Sequence, residues 1–192
     1  MGRPLSSVFG VLALALTMGA WAAPAQAADL SLNAAVAAGN ESSQAFDLYL
    51  KASFDPWWSG SSLSLRPQAQ AGIGLWHKDS YTASKNQRHR SWAKNNFSIY
   101  GAVGLELAYT GWSACEPFAG LNLGLSYVDE KDFLGRELGS HILIFSRGDL
   151  GLRFGDNFRH SLSVQLTHYS NARTNKKNDG LNNVGLAYGF SF

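Results

Sequence analysis

Apolar and polar side chains alternate along Ser161-Leu162-Ser163-Val164-Gln165-Leu166-Thr167-His168-Tyr169-Ser170. Successive side chains of a β-strand point to opposite faces of the sheet, so this pattern predicts a strand with one apolar face. That face carries Leu162, Val164, Leu166, His168 and Ser170. In a soluble protein it would be directed into a core. In an outer-membrane barrel it would be directed into lipid, and a catalytic His–Ser pair there would contact a lipid substrate.

Residues 1–27 have the features of a secretory signal peptide. Arg3 supplies a positive charge, Val8 to Met18 form an apolar stretch, and Ala25-Gln26-Ala27 is a small-residue cleavage site. Cleavage is expected after Ala27, with Ala23 as the weaker alternative. The remaining residues, 28–192, fit one exported domain.

The same alternation recurs through the rest of the chain and predicts eight strands. Most reach the roughly 9–11 residues that a tilted transmembrane β-strand needs. A sandwich or a lipocalin also alternates, but with its apolar face inward. Export, strand length and an aromatic-rich last strand ending at Phe192 favour the inverted pattern. We therefore predict an all-β fold, an eight-stranded antiparallel transmembrane barrel of the outer-membrane type.

The connections in such a barrel are short on the periplasmic side and longer outside. With both chain ends in the periplasm, the predicted inner turns are about 55–61, 110–116 and 155–160. The predicted outer loops are about 39–44, 77–95, 128–139 and 171–180. The two longest connections therefore fall outside, as this topology requires.

Aromatic residues are expected to form belts at the two membrane interfaces. The predicted inner belt contains Trp57, Trp58, Trp112, Phe118 and Phe158. The predicted outer belt contains Trp76, Trp92, Phe133 and Tyr169.

Charged residues also follow the predicted pattern of the strands. Those with inward parity are Asp47, Lys51, Arg66, Glu106, Arg147, Asp149 and Arg153. Side chains fill the interior of an eight-stranded barrel, and buried charges are tolerated there when they are paired. We therefore expect paired charges that plug the barrel, which argues against a pore.

Basic residues are concentrated in two predicted outer loops. Loop 77–95 contains Lys78, Lys85, Arg88, Arg90 and Lys94, with Asp79 as its only carboxylate. The last loop contains Arg173, Lys176 and Lys177, with Asp179. These residues could form a collar for the anionic headgroups of lipopolysaccharide, or they could be ordinary solvated loops. Nucleic acid binding is not expected, because no binding motif is present. The single cysteine, Cys115, is assigned no function.

The predicted position of His168 and Ser170 is the outer, lipid-facing end of the seventh strand. Polar groups on that face are costly unless they lie near the interface or are paired. A serine hydroxyl becomes a good nucleophile when a base accepts its proton, and a third group orients the base. Asn182 has the outward parity on the eighth strand, so antiparallel pairing can bring it beside His168. Alternatively, Asn182 closes the turn Asn178-Asp179-Gly180.

The last hairpin resembles that of the lipid A deacylase (PagL) family, in His168-Tyr169-Ser170-Asn171-Ala172 and Asn178-Asp179-Gly180-Leu181. Members of this family are eight-stranded outer-membrane esterases that remove the 3-O-linked acyl chain from lipid A with a Ser-His-Glu triad. The resemblance implies that Ser170 is the nucleophile and His168 the base. It also implies that Asn178 and the backbone N–H of Arg173, where the family often has Gly, bind the oxyanion. No metal or cofactor is implied.

Asn182 stands where the family has Glu, and this difference affects the expected activity. Asn can accept a hydrogen bond from His and orient it, but it supplies no negative charge for an imidazolium. In a serine protease the Asp-to-Asn change costs about 10⁴ in turnover. The expected outcomes are a slower Ser-His-Asn esterase, a site completed by another carboxylate such as Asp179, or a barrel that has lost catalysis.

The sequence therefore predicts an esterase that deacylates lipid A in the outer leaflet. The main alternative is a non-catalytic barrel that binds lipid or supports the membrane, and another is an acyltransferase. Lipid A and the outer-membrane lipids are the expected partners. A homodimer is left open.

Overall fold

The computed structural model describes residues 28–40, 43–78, 95–133 and 135–192. Eight long strands, β1 to β8, form its wall. Their bounds are Asp29–Gly39, Gln44–Ser53, Leu63–His77, Asn95–Tyr109, Cys115–Val128, Ile142–Phe154, His160–Ser170 and Leu181–Ser191. The predicted leader, residues 1–27, lies outside the described residues. Across the described ranges, no helix is long and apolar enough to cross a membrane.

The strands form a closed antiparallel barrel, as predicted. Each strand pairs with its neighbours in the chain, and β1 pairs with β8 to complete the ring. Closure leaves no sheet edge, so the wall satisfies its own backbone hydrogen bonds, which lipid cannot do. We call the end with the connections that follow β1, β3, β5 and β7 the loop end.

The wall is apolar outside and polar inside. On β7, Leu162, Val164 and Leu166 are 52%, 46% and 60% exposed. The residues between them, Ser163, Gln165 and Thr167, are buried. This parity confirms the predicted inversion, because a soluble barrel would bury the leucines instead.

Paired charges fill the barrel interior, also as predicted. Arg147 is fully buried, and its Nη2 donates to Asp47 Oδ2 at 2.9 Å. Arg153 forms ion pairs with both Glu106 and Glu116. These pairs compensate the cost of removing the charges from water.

The predicted outer aromatic belt is wrong in three of its members. Trp76, Phe133 and Tyr169 are buried inside the loop end of the barrel. The Trp76 ring lies 5.3 Å from that of Tyr169 and 6.2 Å from that of Phe133, measured between centroids. Trp76 and Tyr169 have the inward parity, so strand geometry overrides their general preference for an interface. These rings form an apolar layer above the charged interior.

The other predicted belt residues have mixed positions. Phe118, placed in the inner belt, is also buried, and the Arg153 guanidinium carbon lies 4.6 Å from its ring centroid. Its inward parity again explains the difference. Trp57, Trp58 and Trp112 are exposed at the end opposite the loop end, and Phe158 is half-buried there. Trp92 lies outside the described residues.

A short hairpin stands on the loop end between β5 and β6. Its two strands are Asp132–Phe133 and Arg136–Glu137, which pair antiparallel. Phe133 is fully buried in the aromatic layer, so the hairpin is anchored to the barrel. It lies next to the last loop, 171–180, and thereby affects the candidate site.

Candidate active site

His168 and Asn182 meet on the outside of the barrel. They are direct partners in the register of β7 and β8, and both side chains are exposed. His168 Nδ1 lies 2.6 Å from Asn182 Oδ1, which confirms the predicted juxtaposition. Since a carbonyl oxygen only accepts hydrogen bonds, Nδ1 carries the proton in this arrangement. Neutral imidazole then has its free lone pair on Nε2, the nitrogen that could act as a base.

The backbone of Asn182 is held by a residue of the first connection. Its N–H donates to Asn40 Oδ1 at 2.6 Å. Asn40 directly follows β1, the strand on the other side of β8. Asn182 therefore belongs to β8, which begins at Leu181, and the alternative that it closes the turn is wrong.

Ser170 is the last residue of β7 and shares the outward parity of His168. It is half-buried and lies opposite Ile144 of β6. In the part of the chain that the structure describes, no hydrogen bond joins its hydroxyl to the His168 ring. Catalytic hydrogen bonds are often long or poorly aligned before substrate binds and shorten in the complex. The two side chains are therefore adjacent on one face, but they do not form a closed relay.

The last loop, 171–180, fixes Asn178 beside the end of β7. Asn178 Oδ1 accepts the backbone N–H of Asn171 at 2.8 Å. Asn171 directly follows Ser170, so the Asn178 amide lies close to the serine. Because its oxygen is bound to the loop, the donor end of this amide, Nδ2, is left to contact a ligand.

Buried contacts and an unusual backbone shape the same loop. Asn171 is buried, and its Nδ2 donates to Leu138 O at 2.8 Å and to Lys177 O at 2.5 Å. Ala172 and Arg173 have φ values of 50° and 63°. These left-handed conformations favour glycine, which fits the glycine expected at the Arg173 position.

Arg136 and Glu137 of the short hairpin bind the last loop from above, a contact that the sequence did not indicate. Arg136 Nη1 donates to Asp179 O at 2.7 Å and to Gly180 O at 3.3 Å. Asp179 Oδ2 accepts the backbone N–H of Glu137 at 2.7 Å. The Asp179 carboxylate is therefore bound to the hairpin. This contact weighs against Asp179 as the acidic partner of His168.

Gly180 brings the backbone of the loop against the His168 ring. Its φ is +61°, and a Cβ placed there would lie 3.3 Å from His168 Cε1 and 3.1 Å from Tyr169 O. A larger residue would therefore be strained and would crowd the ring. The Asn178-Asp179-Gly180 turn signal could have identified this position, since such turns use glycine for positive φ.

The predicted basic collar is only partly described. Arg173 and Lys176 are exposed on the last loop. Lys177 instead forms an ion pair with Glu137 of the hairpin, with 2.5 Å between Nζ and Oε2. Lys85, Arg88, Arg90 and Lys94 lie outside the described residues.

Known proteins match both the sequence and the fold. Residues 44–191 match the family model for lipid A 3-O-deacylase (PagL). The chain is 29% identical over 167 residues to lipid A deacylase PagL of Pseudomonas aeruginosa, covering 86% of this chain and 87% of that protein.

Two solved structures show the fold. The crystal structure of the outer membrane enzyme PagL has a TM-score of 0.72 and 24% identity, covering 84% of this chain and 99% of that one. Neisserial surface protein A has a TM-score of 0.50 and 12% identity, covering 86% of this chain and 97% of that one. The chain is an outer-membrane β-barrel and belongs to the lipid A 3-O-deacylase (PagL) family.

Proposed function

We propose that this protein removes the 3-O-linked acyl chain of lipid A by a serine esterase mechanism. The observation that carries the proposal is the 2.6 Å contact between His168 Nδ1 and Asn182 Oδ1 on the outward, apolar face of the wall. Ser170 lies two residues after His168 on the same strand and has the same outward parity. Family membership supports the same reaction. Residues 1–27 would be the export signal that an outer-membrane location requires.

In the proposed reaction, Ser170 Oγ attacks the carbonyl carbon of the ester while His168 Nε2 accepts the hydroxyl proton. The oxyanion accepts hydrogen bonds from Asn178 Nδ2 and from the backbone N–H of Arg173. Collapse breaks the bond to the sugar oxygen, which takes the proton from His168. Water then attacks the acyl-serine, with His168 again as the base, and the fatty acid leaves.

Asn182 would fix the tautomer of His168. Because its Oδ1 accepts from Nδ1, the Nε2 lone pair remains available to the serine proton. The neutral amide gives the imidazolium a dipole instead of a full charge, so the reaction should be slower than with a carboxylate. A Ser-His-Asn esterase is thus the outcome that the contacts favour.

The site would face the outer leaflet. His168 and Ser170 lie at the loop end of β7, and the apolar residues of the same face continue below them. An ester near the lipid headgroup would lie at that level. Arg173 and Lys176, exposed on the adjoining loop, would lie near the phosphates of lipid A.

The test is the mass of lipid A after expression in a host that lacks such enzymes. Loss of one hydroxyacyl chain is expected, and Ser170→Ala and His168→Ala should abolish it. Ser161→Ala, at the opposite end of the same strand, is the matched control and should retain it. Unchanged lipid A from a folded wild-type barrel would refute the proposal. A gain of an acyl chain would indicate an acyltransferase.

A further inference from the structure

The side chain of Asn40 continues the pairing of β1 and β8 beyond the point where the β1 backbone turns away. Gly39, the last residue of β1, is paired with Asn183, so the next pair in this register would be Asn40 with Asn182. The backbone carbonyl of Asn40 instead accepts the N–H of Ser43 at 3.1 Å. Its side-chain oxygen, Oδ1, accepts the Asn182 N–H at 2.6 Å. A side-chain amide therefore takes the place of a strand acceptor.

The direction of this hydrogen bond determines how His168 and Asn182 face each other. The Asn182 N–H is directed toward β1 and away from β7. Opposite residues of an antiparallel pair that exchange no backbone hydrogen bonds have the closer side chains. His168 and Asn182 are opposite each other in this way, which accounts for the 2.6 Å between Nδ1 and Oδ1. The acceptor on the β1 side thus holds the backbone from which the Asn182 amide reaches His168.

Gly39 allows the first connection to approach β8 closely. Its N–H donates to Ser43 O at 2.8 Å, which closes the turn around Asn40. A Cβ at position 39 would lie 2.5 Å from Ser43 Oγ and 3.3 Å from Asn182 O. Any other residue at this position would push the turn away from β8. The glycine therefore fits a turn that directs the Asn40 side chain at Asn182.

We propose that Asn40 is a positioning residue for the candidate active site. By holding the Asn182 backbone, it keeps Asn182 Oδ1 on His168 Nδ1 and so keeps the free lone pair of the ring on Nε2. This inference rests on the proposed esterase function. Asn182 is the second residue of β8, and strand ends open more readily than strand centres. The acceptor supplied by Asn40 would prevent that opening.

Loss of the Asn40 contact would act on the reaction through the His168 tautomer. The tautomer of a neutral histidine is set by the hydrogen bonds of its ring nitrogens. When Asn182 Oδ1 moves away, Nδ1 loses its acceptor and the proton can occupy Nε2 instead. A protonated Nε2 is a donor without a free lone pair, so it cannot accept the proton of Ser170.

The first test is the ¹⁵N NMR spectrum of the His168 ring in barrels refolded into dodecylphosphocholine micelles, at a pH where the ring is neutral. The His168→Ala spectrum assigns the signals. Wild type should carry the proton on Nδ1, and Asn40→Ala should move much of the population to Nε2–H. Asn40→Asp, which keeps an oxygen acceptor, should restore the wild-type tautomer.

Asn96→Ala is the matched control for this spectrum. Asn96 Oδ1 accepts the backbone N–H of Glu130 at 3.0 Å, so the variant removes the same kind of contact elsewhere at the loop end. It should leave the His168 tautomer unchanged. An unchanged tautomer in Asn40→Ala, an equal change in Asn96→Ala, or no recovery in Asn40→Asp would overturn the inference.

Hydrolysis of p-nitrophenyl butyrate by the same barrels is the second readout. Asn40→Ala should lower kcat about tenfold with KM unchanged, because misplacing a catalytic group slows the reaction without weakening substrate binding. In an Asn182→Leu background the same change should have no further effect, since Asn40 acts through Asn182. A further loss of similar size in that background would overturn the inference.

Failure of the esterase proposal is distinguishable from failure of this inference. Absence of Ser170-dependent butyrate hydrolysis in the wild-type barrel would refute the esterase function. The ¹⁵N spectra would still decide whether Asn40 sets the tautomer of His168, because they require no turnover.

Discussion

The neutral amide of Asn182 limits how strongly the His168 imidazolium can be stabilised. Asn182→Glu keeps an acceptor near Nδ1 and adds a full negative charge, so we expect kcat for ester hydrolysis to rise by tenfold or more. The upper bound is about 10⁴, the loss for the reverse change in a serine protease. Asn182→Leu, which removes the acceptor, should reduce kcat instead. Steady-state kinetics with p-nitrophenyl butyrate measure both.

The chain supplies a matched control in a second outward His–Asn pair. His77 Nδ1 lies 2.5 Å from Asn95 Oδ1, and the two residues are direct partners on β3 and β4. Asn95→Glu places the same charge beside a histidine far from Ser170, so kcat should not change. Equal increases in both variants would mean that surface charge, and not the orientation of His168, causes the effect.

The short hairpin, Asp132–Phe133 with Arg136–Glu137, is the element that positions the last loop. Arg136→Ala removes the donor to the Asp179 and Gly180 carbonyls, and a hydrogen bond from a charged group contributes about 1.5–3 kcal/mol. We expect kcat to fall about tenfold with little change in KM, and Arg136→Lys to recover part of it. Lys131→Ala, an exposed change in the same connection, is the control. An increase in KM with kcat unchanged would contradict this role.

Local patterns predicted the strands and the His168–Asn182 contact, because both follow from a period of two and one short hairpin. The same parity places Trp76 and Tyr169 inside, but their general preference for interfaces led to the wrong prediction. The contact of Arg136 with the last loop was not predictable. It depends on how two outer connections pack, about 43 residues apart in the chain, and no periodic pattern encodes that.

An ion pair between Arg147 and Asp47 is buried in the barrel interior. The Arg147 guanidinium also donates to Tyr100 Oη at 3.0 Å and to Thr167 Oγ1 at 3.1 Å, and Thr167 precedes His168. The pair thus connects β2, β4, β6 and β7 underneath the candidate site. Among the described residues, Asp47 is the carboxylate that forms an ion pair with Arg147, at 2.9 Å between Nη2 and Oδ2.

Asp47→Ala should therefore lower the free energy of unfolding by about 3–5 kcal/mol, the usual cost of leaving a buried charge unpaired. Urea titration of the barrel in vesicles measures it. Lys51→Ala is the matched control and should cost less, because its partner Glu106 keeps the ion pair with Arg153. Adding Arg147→Leu to Asp47→Ala should recover much of the loss, since no charge then remains unpaired. Equal losses of unfolding free energy for Asp47→Ala and Lys51→Ala would contradict this prediction. They would mean that water in the barrel interior hydrates the unpaired Arg147 guanidinium.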